Sequence, residues 1–404
     1  MVRHNLPHLF LTIVALLLLA QEVFASSGAT DSTETRTIRP GVIHRRIVDD
    51  AGPWMINVLE IDLRQEDIEI ESARARDRLT GRETTSSIAA RKTDSVRHVV
   101  AALNADFFIL ETGETTNIQV IDGAFVKGRS PKRSSSQADR RPRSQFAVTV
   151  DGKPHIDRFV FSGFLVWPDG SVHYLSGVNV IPDSNAITLF NSYYGPATPI
   201  DGRLWGVKEA ELIEAGERGD TALYVVRGDT LNGGNSSIPA GGAILAGYHQ
   251  SQRMIESKCR QGDTVRVVLR VVPYPGKIKC LVGGTPRIVL DGVNIANIAS
   301  QSEGTSARFS SDRHPRSGIG FSKDSTVLYF VAVDGRQESS VGMSLPEFAD
   351  RMIALGIYQG LNLDGGGSTA LIIDGEVVNT PSDASGERPV GNCILLIEKR
   401  HTQK

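Results

Sequence analysis

Three consecutive glycines, Gly365-Gly366-Gly367, sit between two short apolar runs, Tyr358 to Leu363 and Ala370 to Ile373. Glycine loses more backbone freedom on folding than any other residue, so three in a row argue against a packed helix or strand at that point. The stretch Asn362-Leu363-Asp364-Gly365-Gly366-Gly367-Ser368-Thr369 therefore reads as strand, sharp turn, strand. Its plain reading is a tight hairpin with a polar rim. Its functional reading is a ligand-facing turn. Asp364 and Ser368 would stand at the rim, and successive N–H groups without Cβ shielding would form a nest for an anion.

Glycine and proline punctuate the rest of the chain as well. With 40 Gly and 18 Pro in 404 residues, the apolar runs are of strand length: Val42–Val48, Trp54–Leu63, Ile68–Ala75 and Val99–Leu103. In Thr264–Val272, Val265, Val267, Leu269 and Val271 alternate with Arg266, Val268 and Arg270, as in a half-buried strand. Two stretches read as helix. Thr84 to Arg91 is expected to be capped by Thr85 or Ser86. Leu345 to Leu355 has Ser344 as N-cap, Glu347 as capping-box partner, Pro346 in the first turn and Gly356 as a stop. Its apolar face carries Phe348, Met352 and Leu355, and it delivers the chain to the glycine turn. The expected fold class is α+β, predominantly β, with mixed sheets, a few helices and a β-rich middle subdomain. The expected organisation is a signal peptide at 1–25, a flexible leader at 26–40, the N-terminal part of the main domain at 41–158, the middle subdomain at 159–273, and a C-terminal catalytic part at 274–400 that carries the glycine turn.

The signal peptide is read from Arg3 and His4, the apolar Leu9 to Ala20, and the cleavage site Val23-Phe24-Ala25. The apolar run is shorter than the ~20 residues of a membrane span. The expectation is a secreted or periplasmic protein with no integral membrane span once the signal is removed. Lys+Arg 44 against Asp+Glu 46 leaves no basic surplus for nucleic acid. A Cys259–Cys280 disulfide is permitted in that compartment, with Cys393 left over, though connectivity stays open. Gly128 to Arg143 holds Arg129, Lys132, Arg133, Arg140, Arg141 and Arg143 against Asp139. It reads as a solvated loop, with a phosphate-facing role for one or two of its arginines as the minority reading.

Polar residues gather at the ends of apolar runs: Asn104 and Asp106 before Phe107-Phe108, Arg316 after His314-Pro315, Asp334-Gly335-Arg336 after Leu328–Val333, and Asn362, Asp364 and Ser368 around the glycines. Asn379 and Glu387-Arg388-Pro389 follow. The set is rich in carboxylates, arginines and amides. It contains no G-x-S-x-G, no H-E-x-x-H, and no Gly-Lys-Ser/Thr after its glycines. The nine His show no metal spacing, so no cofactor is expected. A structural Ca2+ on Asp and Asn oxygens is allowed but not specified.

These motifs together resemble the phosphodiester glycosidase family, that of N-acetylglucosamine-1-phosphodiester alpha-N-acetylglucosaminidase, in a bacterial-type form. The resemblance rests on Asn362 to Ser368, the Ser344–Leu355 helix, Val331 to Arg336, Asn104 to Phe108, Val282-Gly283-Gly284-Thr285-Pro286, His314 to Gly320, and Arg388-Pro389-Val390. It covers about residues 41 to 400. Members of the family commonly carry Thr and Ala where Ser317 and Gly318 stand here. The resemblance implies an exported hydrolase of sugar-1-phosphodiesters. It would release a sugar such as N-acetylglucosamine from a phosphate-linked glycan or glycolipid of the cell envelope or an exopolysaccharide. The alternative is a non-catalytic cell-surface glycan-binding protein using the same pocket. Cleavage at the anomeric carbon expels a phosphate monoester, a good leaving group, so charge recognition matters more than strong acid help. Arg316, Arg336 and Arg388 can supply that recognition, with Asn104, Asn362, Gly365, Gly366 and Ser368 as further substrate-binding groups. Asp106, Asp334 and Asp364 are the candidate catalytic carboxylates, their individual roles left open. Metal-assisted cleavage of the phosphorus–oxygen bond is disfavoured by the missing metal spacing.

Overall fold

The computed structural model describes residues 32–130, 141–181, 185–199 and 206–399. The signal peptide, residues 26–31 of the leader and most of the basic loop (131–140) lie outside the described residues.

Two antiparallel sheets pack face to face. The first has eight strands in the order Ser32–Arg39, Val42–Asp49, Trp54–Asp62, Val327–Val333, Arg316–Phe321, Gln359–Asn362, Arg287–Leu290, Val293–Asn294. The second has five: Glu376–Val377, Leu371–Ile373, Arg97–Asn104, Asn392–Lys399, Ile68–Arg74. Successive side chains of a strand point to opposite faces, and both faces of the central strands, such as Val327–Val333 and Asn392–Lys399, are buried, which is why these read as unbroken apolar runs. Leu328, Phe330 and Ala332 face inward to meet Leu371, Ile373, Ile394 and Leu396 of the second sheet. The alternate residues Tyr329, Val331 and Val333 face outward, onto the helix Leu345–Ala354 through Leu345, Phe348, Ala349 and Met352. On the far side, Cys393, Leu395 and Ile397 meet Ile88 and Ala89 of the helix Thr85–Lys92. The result is four layers, helix–sheet–sheet–helix, with each inward Leu or Phe contributing about 1.5–3 kcal/mol.

A third sheet of 13 strands carries the middle of the chain. Its strands between Val160 and Val272 are continuous with Ala124–Arg129, Gln145–Thr149 and Ile278–Gly283 from outside that stretch. Its core likewise joins Trp167, Ile255 and Val267 to Phe125 and Leu281. The β-rich middle therefore has no sheet boundary of its own. All its pairs are antiparallel except Gly177–Val178 with Ile187–Phe190. The fold is thus predominantly β with few helices, as expected.

Three local expectations change. The leader ends earlier than residue 40, because Ser32–Arg39 pairs along its length with Val42–Asp49. This strand is almost wholly exposed and polar, a composition that mimics disorder, but its Thr33, Thr35 and Thr37 are β-branched and suit an edge. The first helix spans Thr85–Lys92, one residue later than expected, and its cap is Thr84 rather than Thr85 or Ser86, with the Thr84 hydroxyl accepting from Ser87 N–H at 3.2 Å. The second helix keeps its capping box: Glu347 N–H donates to Ser344 Oγ at 3.4 Å and Ser344 N–H to Glu347 Oε2 at 2.9 Å. The permitted Cys259–Cys280 disulfide is absent. All three thiols are free and buried in separate cores: Cys280 between the sheets, Cys259 in the third sheet's core, and Cys393 beneath the helix Thr85–Lys92. No helix among the described residues is long and apolar enough to cross a membrane.

Candidate active site

The apolar runs that flank the glycines belong to different sheets, Gln359–Asn362 to the first and Leu371–Ile373 to the second. The hairpin reading is therefore overturned. The chain crosses from one sheet to the other through a single helical turn, Gly366–Ser368. Each glycine has its own steric reason. A Cβ at Gly365 would lie 2.6 Å from the Pro315 carbonyl oxygen, and one at Gly366 would lie 3.0 Å from Arg336 Nη2. A Cβ at Gly367 would lie 2.1 Å from Arg388 Nη2 and 2.2 Å from Asp383 Oδ1. Two guanidinium groups thus rest against this turn, and only bare backbone admits them.

The expected anion nest is largely spent on the protein itself. Gly365 N–H donates to Asp364 Oδ1 at 3.0 Å and Gly366 N–H to the Pro315 carbonyl at 2.9 Å. Gly365 and Gly366 therefore shape the site by close approach rather than by binding substrate.

Asp364 is held at the seam between the sheets. Its N–H donates to the Ala105 carbonyl at 2.8 Å, and its own carbonyl accepts from Asn104 Nδ2 at 2.6 Å. Asn104 Oδ1 accepts from Ser317 Oγ at 2.6 Å and from Ala370 N–H at 3.1 Å. Asn104 is a buried clasp with both ends of its amide engaged, which corrects the expectation that it binds substrate.

The three candidate carboxylates differ in access. Asp106 is 1% exposed. Its Oδ1 accepts from Asn117 Nδ2 at 2.7 Å and its Oδ2 from Asn117 N–H at 3.0 Å. The strand end beside it must be glycine, since a Cβ at Gly283 would lie 2.4 Å from the Asp106 carboxyl carbon. Asp334 is equally buried. Its Oδ1 accepts from Thr380 N–H at 2.9 Å and Asn379 Nδ2 at 3.3 Å, so it ties a strand end of the first sheet to the loop after the second. Asp364 alone is half-buried and open to solvent.

Burial pushes the Asp364 carboxyl up to about 7, and the negative charge of Asp106 adds to the rise, against the Ser368 hydroxyl, the Gly365 N–H and Arg388. Burial raises Asp106 to about 6, opposed by its bonds from Asn117 and by the charges of Lys127 and Arg143. Burial also raises Asp334.

The three arginines differ too. Arg316 is a buried strut. Its Nε donates to the Met343 carbonyl at 2.8 Å, and its Nη2 to those of Phe309 and Asp312 at 2.9 and 3.0 Å. Arg388 has its fork filled by Asp383, with Nε–Oδ2 at 2.7 Å and Nη2–Oδ1 at 2.9 Å. Neither is free to take a phosphate as expected. Arg336 is exposed, with one long contact of 3.4 Å to Ser382 Oγ. It is the one that can meet an anion without surrendering a carboxylate.

Buried polar atoms are almost always paired, yet several around this seam lack a partner among the described residues: Thr369 Oγ1, Asn362 Oδ1, Asp334 Oδ2, Asn392 Nδ2 and His314 Nδ1. Asn362 Nδ2 is spent on the Thr285 carbonyl at 2.7 Å. His314, whose neighbour Pro315 binds the glycine turn, was not among the expected site residues. Burial holds its imidazole below its ordinary pKa, with Arg316 and Arg336 adding to the effect. The signal was present in His314-Pro315-Arg316, read there only for its arginine. Asn117 and Asn392, which fix Asp106, gave no sequence signal. Among the described residues, no three of His, Cys, Asp or Glu converge to hold a metal ion.

Over 84 residues the chain is 35% identical to the SPbeta prophage-derived protein YomE of Bacillus subtilis (strain 168), a match that covers 21% of this chain and only 13% of YomE. A solved protein of Synechocystis shares the fold with a TM-score of 0.69 at 19% identity, over 91% of this chain and 64% of its own. A solved protein of Burkholderia pseudomallei K96243, described as exported, does so with a TM-score of 0.67 at 20% identity, over 92% of this chain and 97% of its own. These likenesses extend the fold over about nine-tenths of the chain. The family model for phosphodiester glycosidases matches residues 220–397, and that stretch, with Asp334, Asp364 and the glycine turn inside it, belongs to the phosphodiester glycosidase family.

Proposed function

We propose that this chain is an exported hydrolase of glycosyl phosphodiesters and that Asp364 is its reacting carboxylate. One observation carries the reading: Asp364 is the only one of the three candidate carboxylates that reaches solvent, and it opens the glycine turn against which the exposed Arg336 rests at Gly366, amid unpartnered polar atoms. Phosphate monoester is a good leaving group, so one well-placed base suffices where an alkoxide would also need a strong acid. With a pKa of about 7, Asp364 is poised near neutrality to take a proton from water as that water attacks the anomeric carbon. The anomeric carbon–oxygen bond breaks, its electron pair leaves on the phosphate oxygen, and the proton rests on Asp364. Arg336 draws in the phosphodiester anion. Asp106, closed to substrate, is a positioning residue whose charge keeps the Asp364 pKa high.

Export is supported by the leader sequence and by the Burkholderia neighbour described as exported. A phosphate-linked glycan or glycolipid of the cell envelope fits that setting. The test is incubation of purified mature chain with a panel of glycosyl phosphodiesters, α-linked N-acetylglucosamine first. NMR should show free sugar and a phosphate monoester. Tight binding of every member with no turnover would replace the hydrolase with the glycan-binding alternative.

A further inference from the structure

Where Val172–Leu175, Val160–Val166, Thr264–Val272 and Thr221–Asn232 lie side by side, the third sheet turns one face to solvent. The alternation in Thr264–Val272 decides which side chains stand there: Val265, Val267 and Val271 enter the core, and Arg266 and Arg270 come out. The pairing carries the same face across the neighbouring strands. Phe164 sits opposite Tyr174, and Arg266 lies between Val166 and Leu223. Four strands at about 4.8 Å spacing make this face roughly 15 Å wide. Within it is a hollow of about 400 Å³, lined by three arginines, Arg218, Arg266 and Arg270, against one carboxylate, Asp220.

None of the three arginines has a hydrogen bond or ion pair among the described residues, while Asp220 accepts from the Tyr274 hydroxyl. The Arg270 guanidinium stands 5.4 Å from the centroid of the Phe164 ring. That contact ties the head group to an aromatic ring and spends none of its N–H donors on an acceptor. Tyr174, opposite Phe164, is 68% exposed. Unspent guanidinium forks match carboxylate and phosphate oxygens, and exposed rings beside them offer flat apolar surface for the faces of sugars.

We propose that this face binds an anionic polysaccharide, as a second carbohydrate site apart from the seam. The arginines take the acidic groups along the polymer, and Phe164 and Tyr174 stack on its rings. Charge selects this occupant over a second copy of the chain, because a two-fold contact through this face would set the arginines against their own counterparts. A bilayer surface takes inserted aromatic side chains beside its cations, whereas Phe164 is held at the sheet by Arg270. None of these residues belongs to the seam, so the proposal goes beyond the hydrolase reading and does not depend on it.

The test is calorimetric titration of the full mature chain with alginate, a linear polyuronate, and with dextran as the neutral control. Wild type should bind alginate well above dextran, and added salt should weaken the binding. Arg266→Gln/Arg270→Gln should bind about 10-fold more weakly or worse, as expected for losing two charge-assisted contacts. Arg253→Gln/Lys323→Gln removes as much charge from exposed positions outside the face and should bind like wild type. Tyr174→Ala keeps every charge and should still weaken binding about 3-fold or more. Melting temperatures should stay near wild type, because all the altered side chains are exposed. Failure of wild type to bind, or equal losses in the two double variants, overturns the proposal. So does unchanged binding by Tyr174→Ala, which would leave a bare anion patch. Arginine-dependent capture by phosphatidylglycerol vesicles in place of alginate would make the face a membrane contact and overturn it too. The two readings fail separately. Arginine-dependent alginate binding without hydrolysis of any phosphodiester sinks the hydrolase and keeps the polysaccharide face. Hydrolysis by a chain that ignores alginate does the reverse.

Discussion

Asp106 and Asp364 carry the same side chain to opposite ends. Asp106 has donors on both oxygens and no access; Asp364 has the Gly365 N–H and the Ser368 hydroxyl and is half-buried. If Asp364 acts as base, kcat/KM rises with pH and levels off above about 7. Asp106→Asn removes a neighbouring negative charge, so ionising Asp364 becomes easier and the midpoint should move down. A falling limb in place of a rising one would make Asp364 an acid. Linkage gives a second expectation. The folded-state pKa of Asp364 lies above the unfolded value of about 3.9. The folded state therefore holds the extra proton between them, and that stability is present below about pH 4 and lost as pH rises through about 7. Asp364→Asn should then melt higher than wild type near pH 8 and equally near pH 4, while kcat/KM falls about 10²-fold or more. Asp374→Asn is the control. Asp374 is an exposed hairpin residue paired to Arg39 at 2.9 Å, and such pairs are worth about 0–1 kcal/mol, so both readouts should stay near wild type. Near-wild-type turnover in Asp364→Asn would remove that residue from the mechanism.

At the scale of elements, the glycine turn and the helix before it are tuned to their neighbours. Gly367→Ala would drive a methyl into the Arg388–Asp383 pair, and turnover should fall with a loss of about 1–3 kcal/mol in stability. Gly318→Ala would meet the Phe348 ring at 2.6 Å. Although Ala is common there in the family, it should cost a similar amount here, read as a lower melting temperature, and an unchanged value would mean that the helix shifts freely. The helix was legible because its signals are local: Ser344, Pro346, Glu347 and Gly356 lie within a few turns of one another. The buried strands were legible from unbroken apolar runs such as Leu328–Val333. The edge strand Ser32–Arg39 was not, since no burial pattern marks it. The hairpin error at the glycines has a physical source. Two apolar runs around a short turn look alike whether they pair or diverge, and only distant strands decide. The arginines fail in the same way: sequence supplies the guanidinium, but the backbone carbonyls around Arg316 and the carboxylate on Arg388 come from the fold.

Over the whole molecule, the two stacked sheets bring residues far apart in the chain, Asn104 to Asp106 and Asn362 to Ser368, to one seam, and the third sheet carries the arginine-lined face. Three thiols sit in three different cores, so the melting temperature should be the same with and without reductant, and alkylation should proceed only on unfolding. A drop on reduction would contradict the free-thiol assignment. The central claim, that the assembled chain cleaves the bond between the anomeric carbon and the phosphate oxygen, is tested most directly by hydrolysis in heavy-oxygen water with phosphorus NMR. Attack at carbon puts the label on the sugar, so the account predicts a phosphate monoester with an unshifted phosphorus signal. A signal shifted upfield by heavy oxygen on phosphorus would mean attack at phosphorus, and would contradict it.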